Sequence, residues 1–425
     1  MAMIMTRLQR FVRSRQLHTI ISQETIKPSS PTPPHLKTHN LSIIDQLAPN
    51  VNMPLIFFYK NYTRGDINIL KKSLSQTLTS YYPFAGRCLA PSVPQIDCND
   101  QGVKFFEASS DSRLSDVIHR RELDETIDEL IPNYTLSNNN PNLVEVQLNH
   151  FSCGGAAVVV SISHKAGDGY TMGKFINHWA TIARGGSPKA PTFLSSKSNT
   201  KVPEFDFKGT NTVKYATRRF MFPNSKLNEL KNKINASVNP TRVEALSSLI
   251  FKCAVGAATT LSGSIAPSNM YHVVDMRKKI VGKNLPEIAA GNICTIAVAK
   301  MADSGGEIKL NEVVDRLRKD ITEIKEVRDV EEVGEVFLTK LSTLGGDQSR
   351  TYNFSSLCRF PFYEVDFGWG KPVQFIHKNG VLDGNIIHLI DTPSGEGIEA
   401  IVQLEEEEMV IFQKDKEILE FSQDL

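Results

Sequence analysis

The chain has only two tryptophans and no unbroken run of about 18 apolar residues, the length a membrane-spanning helix needs. Runs such as Ala156 to Ile162 soon meet His164 and Lys165, so no membrane partner is expected. Neither sign of charge dominates. The 48 Lys and Arg against 47 Asp and Glu leave a formal net charge of +1, which offers no electrostatic footprint for nucleic acid. The six cysteines, Cys88, Cys98, Cys153, Cys253, Cys294 and Cys358, include no C-x-x-C pair and no regular spacing. Neither a disulfide framework nor a zinc site is expected, and the thiols read as reduced in an intracellular protein. His35 and His39 stand four apart without a third ligand nearby, and read as surface residues rather than as a metal pair. G-x-S-x-G, G-x-x-x-x-G-K-[ST], H-E-x-x-H and G-x-G-x-x-G are also missing, so a serine hydrolase, an NTPase, a zincin and a dinucleotide enzyme all lose support.

A chain of 425 residues exceeds one ordinary core, and two domains are the expected arrangement. Arg7, Arg10, Arg13 and Arg15 precede the first acidic residue, Glu24, with Leu8, Phe11 and Val12 between them. That composition resembles a transit peptide, but a short disordered or frayed extension, or an upstream start codon, is the preferred reading. Residues 1–20 are therefore set apart, with the cytoplasm as the expected location and an organelle as the alternative. Pro28 to Pro34 forms an extended entry. Asp66 is placed to cap a helix through Leu70, Leu74 and Leu78 that Pro83 to Gly86 stops. Ala156 to Ser163 reads as a central strand, followed by a helix with Met172, Phe175, Ile176 and Trp179 on one face, closing at Gly185-Gly186. The Ser-, Pro- and Lys-rich stretch 187–212 reads as the linker between a first domain at 21–186 and a second at 213–425. In the second, Thr241-x-x-Glu244 is a capping box before an apolar helix, and a longer helix carries Leu310, Val313, Val314, Leu317, Ile321 and Ile324. Strand-like runs at Tyr271 to Val274 and Val381 to Ile390 alternate with these helices, so the class is α/β.

Of ten histidines, only His164 has an aspartate at the fourth position after it, in His164-Lys165-Ala166-Gly167-Asp168-Gly169. The spacing is a weak signal, and the context strengthens it: ionisable groups fall at the end of a buried strand, where loops build sites. Imidazole with an ordinary pKa near 6.5 is largely neutral at pH 7 and can take a proton from a hydroxyl attacking a carbonyl. Asp168 either orients that ring or turns away to hold the bend with a cation. The second role is preferred, because a buried carboxylate needs a partner and Arg277 ends another strand-like run. A further segment, Asp366-Phe367-Gly368-Trp369-Gly370-Lys371-Pro372, places two glycines around one of the two tryptophans. It reads as a tight turn with Trp369 as an apolar plug.

Together, His164 to Asp168 and Asp366 to Gly370 resemble the H-x-x-x-D and D-F-G-W-G signatures of the BAHD plant acyltransferases. The likeness extends over Ile26 to Pro33, Tyr81 to Arg87, Asp97 to Asp100, Gly291-Asn292 and Cys358 to Tyr363, and looks most like the family's alkaloid branch. The resemblance implies two chloramphenicol acetyltransferase-like domains, each a mixed sheet with helices, and an active-site channel between them. It implies His164 as general base, Asp168 paired with Arg277, and a mainly structural Asp366, Gly368, Trp369 and Gly370. Acetyl-CoA is then expected as co-substrate, with no tightly bound cofactor and no metal, and a small-molecule hydroxyl as acceptor, in a monomer. Two departures stand out: Gly167 where the family usually has Ala, and Asp275 where it commonly has Asn. Ala289 to Ile293 also departs from the pattern of anthocyanin acyltransferases.

Overall fold

The computed structural model describes residues 18–423, apart from residues 63, 90–92, 137–140, 197–200, 203–212, 235–236, 238, 282–284, 302–306, 343–348 and 380–381. The Arg-rich part of the N-terminal extension therefore lies outside the described residues, as does most of the stretch 187–212. The first strand, His18–Ile26, begins inside the segment set apart as an extension, because it pairs antiparallel with Val103–Ser110.

Two mixed six-stranded sheets organise the chain. The first runs in the order His18–Ile26, Val103–Ser110, Val144–Phe151, Ala156–Ser163, Asn52–Tyr59 and Gln374–His377. Every residue of Ala156–Ser163 is buried, which explains its nearly unbroken apolar sequence: helices or loops cover both faces. Helices Ile67–Ser80 and Gly169–Ala183 pack on this sheet, and Trp179 locks them together, its Nε1–H donating to Leu70 O at 3.1 Å and Ser73 Oγ at 3.0 Å. The second sheet runs in the order Tyr215–Pro223, Gly397–Glu405, Asn385–Asp391, Arg350–Ser356, Ser268–Asp275 and Cys294–Lys300.

Against this second sheet lies Arg242–Ser262, whose capping box is formed as expected by Thr241 and Glu244. Its 21 residues exceed the 14 of Leu310–Glu323, reversing the expected order of lengths. The reason is burial on most sides: a helix apolar around most of its circumference has no clean stripe to mark its end. By length and composition it could cross a membrane, and 67% of its apolar window is buried inside the protein.

The sheets are not built from separate halves of the chain. Gln374–His377 comes from beyond the linker yet pairs antiparallel with Leu55 to Phe58, and Phe362, Val365, Phe367, Trp369, Phe375 and Ile376 join the first core. Within the stretch read as linker, Thr192–Phe193 pairs with Ala289–Ala290. His39 also departs from expectation: it is 4% exposed and meets the Phe193 ring edge-on at 5.9 Å, because the short strand Thr38–Asn40 that carries it pairs with Gln95–Asp97 and lies beside Phe193, which also meets Tyr81 and Phe84.

A buried ion pair ties the sheets together. Arg219 Nε and Nη2 donate to Glu399 Oε1 and Oε2, each at 2.8 Å, while its Nη1 donates to the carbonyls of Ile118 and Arg120. Gln374 Nε2 adds a bond to Glu399 Oε2 at 3.1 Å. Removing one member of such a pair strands the other in a dry interior. Glu399→Ala is expected to cost about 3–5 kcal/mol by chemical denaturation. A loss below about 1 kcal/mol, the scale of an exposed pair, would contradict this account.

Candidate active site

The strand Ala156–Ser163 delivers His164 to the sheet's end. There the chain makes a single 3-10 turn, His164–Ala166, before the helix Gly169–Ala183. The turn is held from outside: His164 N donates to Val51 O at 2.9 Å, and Lys165 Nζ to Gln46 O at 3.0 Å. His164, half-buried, opens onto a cavity of about 260 Å³ where the two sheets meet. Apolar Ile44, Leu47, Met53, Leu55, Leu357 and Phe362 make up much of its wall. The Nδ1 of His164 is enclosed and lacks a well-formed hydrogen bond, leaving Nε2 as the nitrogen open to the cavity. Burial pulls the ring's pKa below 6.5, against the opposing pull of its own carbonyl, Asp168, Asn292 and Asp45.

Asp168 points away from that ring. Its Oδ2 accepts from Arg277 Nη1 at 2.8 Å and its Oδ1 from Nη2 at 3.1 Å, a two-pronged pair. The same carboxylate accepts from Thr171 N at 3.0 Å, capping the helix, and from Ile293 N at 3.1 Å. Burial would raise its pKa, yet the Arg277 charge and these hydrogen bonds hold it below 3.8. Arg277 also donates to the carbonyls of Ala289 and Gly291, and its guanidinium lies 4.2 Å from the centre of the Tyr170 ring.

Both departures from the family pattern have a local cause. A Cβ on Gly167 would come within 2.6 Å of Thr171 Cγ2, so glycine leaves room for Thr171, whose hydroxyl donates to Gly291 O at 3.0 Å. Asp275 adds a second carboxylate to Arg277, accepting from its backbone N at 3.0 Å and from Nη1 at 3.1 Å.

Asn292 is a site residue that the sequence reading passed over. Its Nδ2 donates to His164 O at 2.8 Å and to Asp45 Oδ1 at 2.8 Å, and its backbone N donates to the same Asp45 oxygen at 3.0 Å. Asn292 thus fastens the backbone of His164 to a buried carboxylate. The available signal was the Gly291-Asn292 pair; nothing local marks Asp45 beyond its capping box with Ser42.

No residue of 366–370 lines the cavity among the described residues. Asp366 Oδ1 accepts from Gly368 N at 2.7 Å and Gly370 N at 3.0 Å, closing a turn in which both glycines take positive φ, +108° and +87°. The turn drives Phe367 and Trp369 against Tyr59, Tyr62 and Trp179. Trp369 Nε1–H donates to Asp66 Oδ2 at 2.7 Å. Asp66 sits at the N-cap of its helix as expected, but it closes a 3-10 turn, Arg64–Asp66, and already has helical backbone angles (φ −82°, ψ −2°), so its carboxylate makes no capping bond and is met by Trp369 instead. The loop lies between Ser355, Ser356, Leu357, Phe360 and Phe362, which line the cavity, and the crossing strand that brings in His377, so it connects the two.

Asp168→Ala would leave Arg277 buried beside Asp275 alone. The variant is expected to lose about 3–5 kcal/mol of stability in chemical denaturation. An unaltered midpoint would contradict the pairing described.

A model of the Transferase family matches residues 18–419. The chain is 36% identical to 17,18-epoxy-17-hydroxycur-19-ene N-malonyltransferase of Strychnos nux-vomica, covering 95% of this chain and 90% of that protein. It is 38% identical to akuammiline synthase 1 of Alstonia scholaris, covering 95% and 97%. Among solved structures, vinorine synthase superposes with a TM-score of 0.81 at 29% identity, over 96% of this chain and 99% of that one. With a family model spanning nearly all of the described chain and relatives matched along most of their length, the chain belongs to the Transferase family, the BAHD acyltransferases.

Proposed function

We propose that the protein is an acetyl-CoA-dependent O-acetyltransferase whose acceptor is a hydroxyl of a plant specialised metabolite, a monoterpene indole alkaloid. The observation that carries the reading is His164 Nε2, open to an apolar cavity while Asp168 is committed to Arg277. In this scheme Nε2 takes the acceptor's hydroxyl proton as that oxygen attacks the thioester carbonyl of acetyl-CoA. The tetrahedral intermediate collapses to ester and thiolate, and the imidazolium returns its proton to the thiolate, giving free CoA. No covalent intermediate with the enzyme is required. Asn292 and Asp45 act through the backbone, holding the ring in place.

The alkaloid acceptor is supported by the relatives, which include alkaloid acyltransferases. The acetyl group is supported by cavity chemistry. The N-malonyltransferase relative favours a second reading, in which malonyl is transferred. Among the described residues lining the cavity, however, the only Lys or Arg is Arg277, already held by Asp168 and Asp275. A malonyl carboxylate entering there would meet no free cation, and an unpaired buried charge is costly.

Thiol release from acetyl-CoA over a panel of hydroxylated indole alkaloids, with products identified by mass, tests the proposal. Acetylated product is expected, with malonyl-CoA a poorer donor. Turnover confined to malonyl-CoA, or to terpenoid, phenolic or amine acceptors, would replace the reading, and acetyl-CoA binding without any turnover would point to a catalytically silent protein. His164→Ala should lower kcat by at least ~10²-fold, and an unchanged rate would remove His164 from its role. The base must be neutral to act, and burial lowers its pKa. The rate should therefore be flat at neutral pH and fall only as pH drops below 6.5 through that lowered value. An acid limb centred above 6.5 would contradict the assignment.

A further inference from the structure

Two further imidazoles, His377 and His388, line the cavity with His164. His377 ends the crossing strand Gln374–His377 and is 4% exposed, yet it lines the same space. Its Nδ1 lies 3.1 Å from the carbonyl oxygen of Pro54. A carbonyl oxygen only accepts, so Nδ1 carries the proton and Nε2 carries a lone pair. Unlike the Nδ1 atoms of His164 and His388, this Nε2 is not enclosed by protein, and no described residue donates to it. Burial, with weaker influences from Pro54 and His164, sets its pKa at about 4. The ring therefore remains a neutral hydrogen-bond acceptor when His164 is at work.

His388 packs against that ring, edge to face, at a centroid distance of 4.4 Å and 81°. Its own orientation is dictated by backbone carbonyls through a directed chain of amides. Gln403 Nε2 donates to Leu382 O at 2.8 Å and Gly384 O at 3.1 Å, which sets its amide. Gln403 Oε1 then accepts from Asn379 Nδ2 at 2.9 Å, and Asn379 Oδ1 accepts from His388 Nε2–H at 2.5 Å. His377 is thereby seated between a carbonyl it must donate to and a ring that cannot turn. A bare acceptor nitrogen in an apolar cavity is a costly feature unless something donates to it.

We propose that His377 Nε2 anchors the acceptor substrate by taking a hydrogen bond from an N–H or O–H group other than the hydroxyl that is acylated. This contact selects acceptors that carry a second donor, and it decides which hydroxyl reaches His164. The proposal rests on the reading that the acceptor occupies this cavity. His377 takes no proton in the reaction; its role is to hold the substrate.

The test measures binding alone, by titration calorimetry on the full chain with matched fragments: indole against N-methylindole, and phenol against anisole. In the wild type a donor fragment should bind roughly 3- to 10-fold tighter than its methylated partner, the worth of one neutral hydrogen bond. His377→Asn keeps an N–H where Nδ1 donates to Pro54 and removes the acceptor beyond it, and should bring that ratio to about 1. A preference in the indole pair assigns the donor as N–H, and one in the phenol pair assigns it as O–H; either supports the proposal. Nitrogen NMR of the wild type gives a readout independent of the variant's folding, because the His377 Nε2 resonance should move with a donor fragment and stay put with its methylated partner. Equal binding within both pairs, no binding at all, or a preference that survives His377→Asn overturns the proposal. Since no acyl transfer is involved, a failed acetylation assay with the fragment preference intact would sink the proposed reaction and leave the anchor standing.

Discussion

The bond between Asp168 and Arg277 is the constraint on which the rest of the site hangs. A guanidinium and a carboxylate with side chains 8% and 11% exposed are tolerable in a protein interior only if nearly every lone pair and N–H is matched. Satisfying that condition draws in the start of the helix Gly169–Ala183, the end of the strand Ser268–Asp275 and the loop from Ala289 to Ile293. The loop then carries Asn292 onto the carbonyl of His164. The charge pair therefore does its work at a distance of one residue from the chemistry: it shapes the backbone that presents the imidazole and leaves the ring itself free.

A second layer of constraint comes from the segment between Ser355 and His377. It lines the cavity at its start, folds into the Asp366 turn, and ends as a strand of the other sheet. Tyr59 Oη–H donates to Val365 O at 2.8 Å just before the turn, and Trp369 reaches Asp66 just after it begins to close. The aromatic cluster beneath contributes area and orientation rather than charge. The turn, which lines no part of the cavity among the described residues, thus links the segment that lines one side of it to the strand that brings in His377.

Much of this was legible in the sequence, for identifiable reasons. Ala156 to Ser163 announced a covered strand by its unbroken apolar run, and Met172, Phe175, Ile176 and Trp179 announced a helix by their spacing. The capping box at Thr241 was local and therefore readable. The pairing of Asp168 with Arg277 followed from the cost of burying a lone carboxylate, once both were placed at strand ends. What escaped had no local signature. Asp66 looked like a cap because nothing near it reveals that its backbone is already helical at the end of a 3-10 turn, or that its carboxylate reaches Trp369. His377 and His388 sit in strands of different sheets, and only the meeting of those sheets makes them neighbours. Asn292 and Asp45, far apart in the chain, are joined only by the fold. The strand Gln374–His377 was invisible as a member of the first sheet because pairing across that separation leaves no trace in periodicity.

That last strand also imposes an order of events on synthesis. As the chain leaves the ribosome from its N-terminus, the sheet that carries His164 emerges with one edge open along Asn52–Tyr59, and its partner for that edge is not made until most of the polypeptide exists. Until then an apolar strand, buried throughout in the finished protein, is paired only on its Ala156–Ser163 side, and its other edge is prone to join a neighbouring nascent chain. Because Arg277, Asn292 and His377 also come from the later part of the chain, the catalytic surface is complete only when nearly the whole chain has been made.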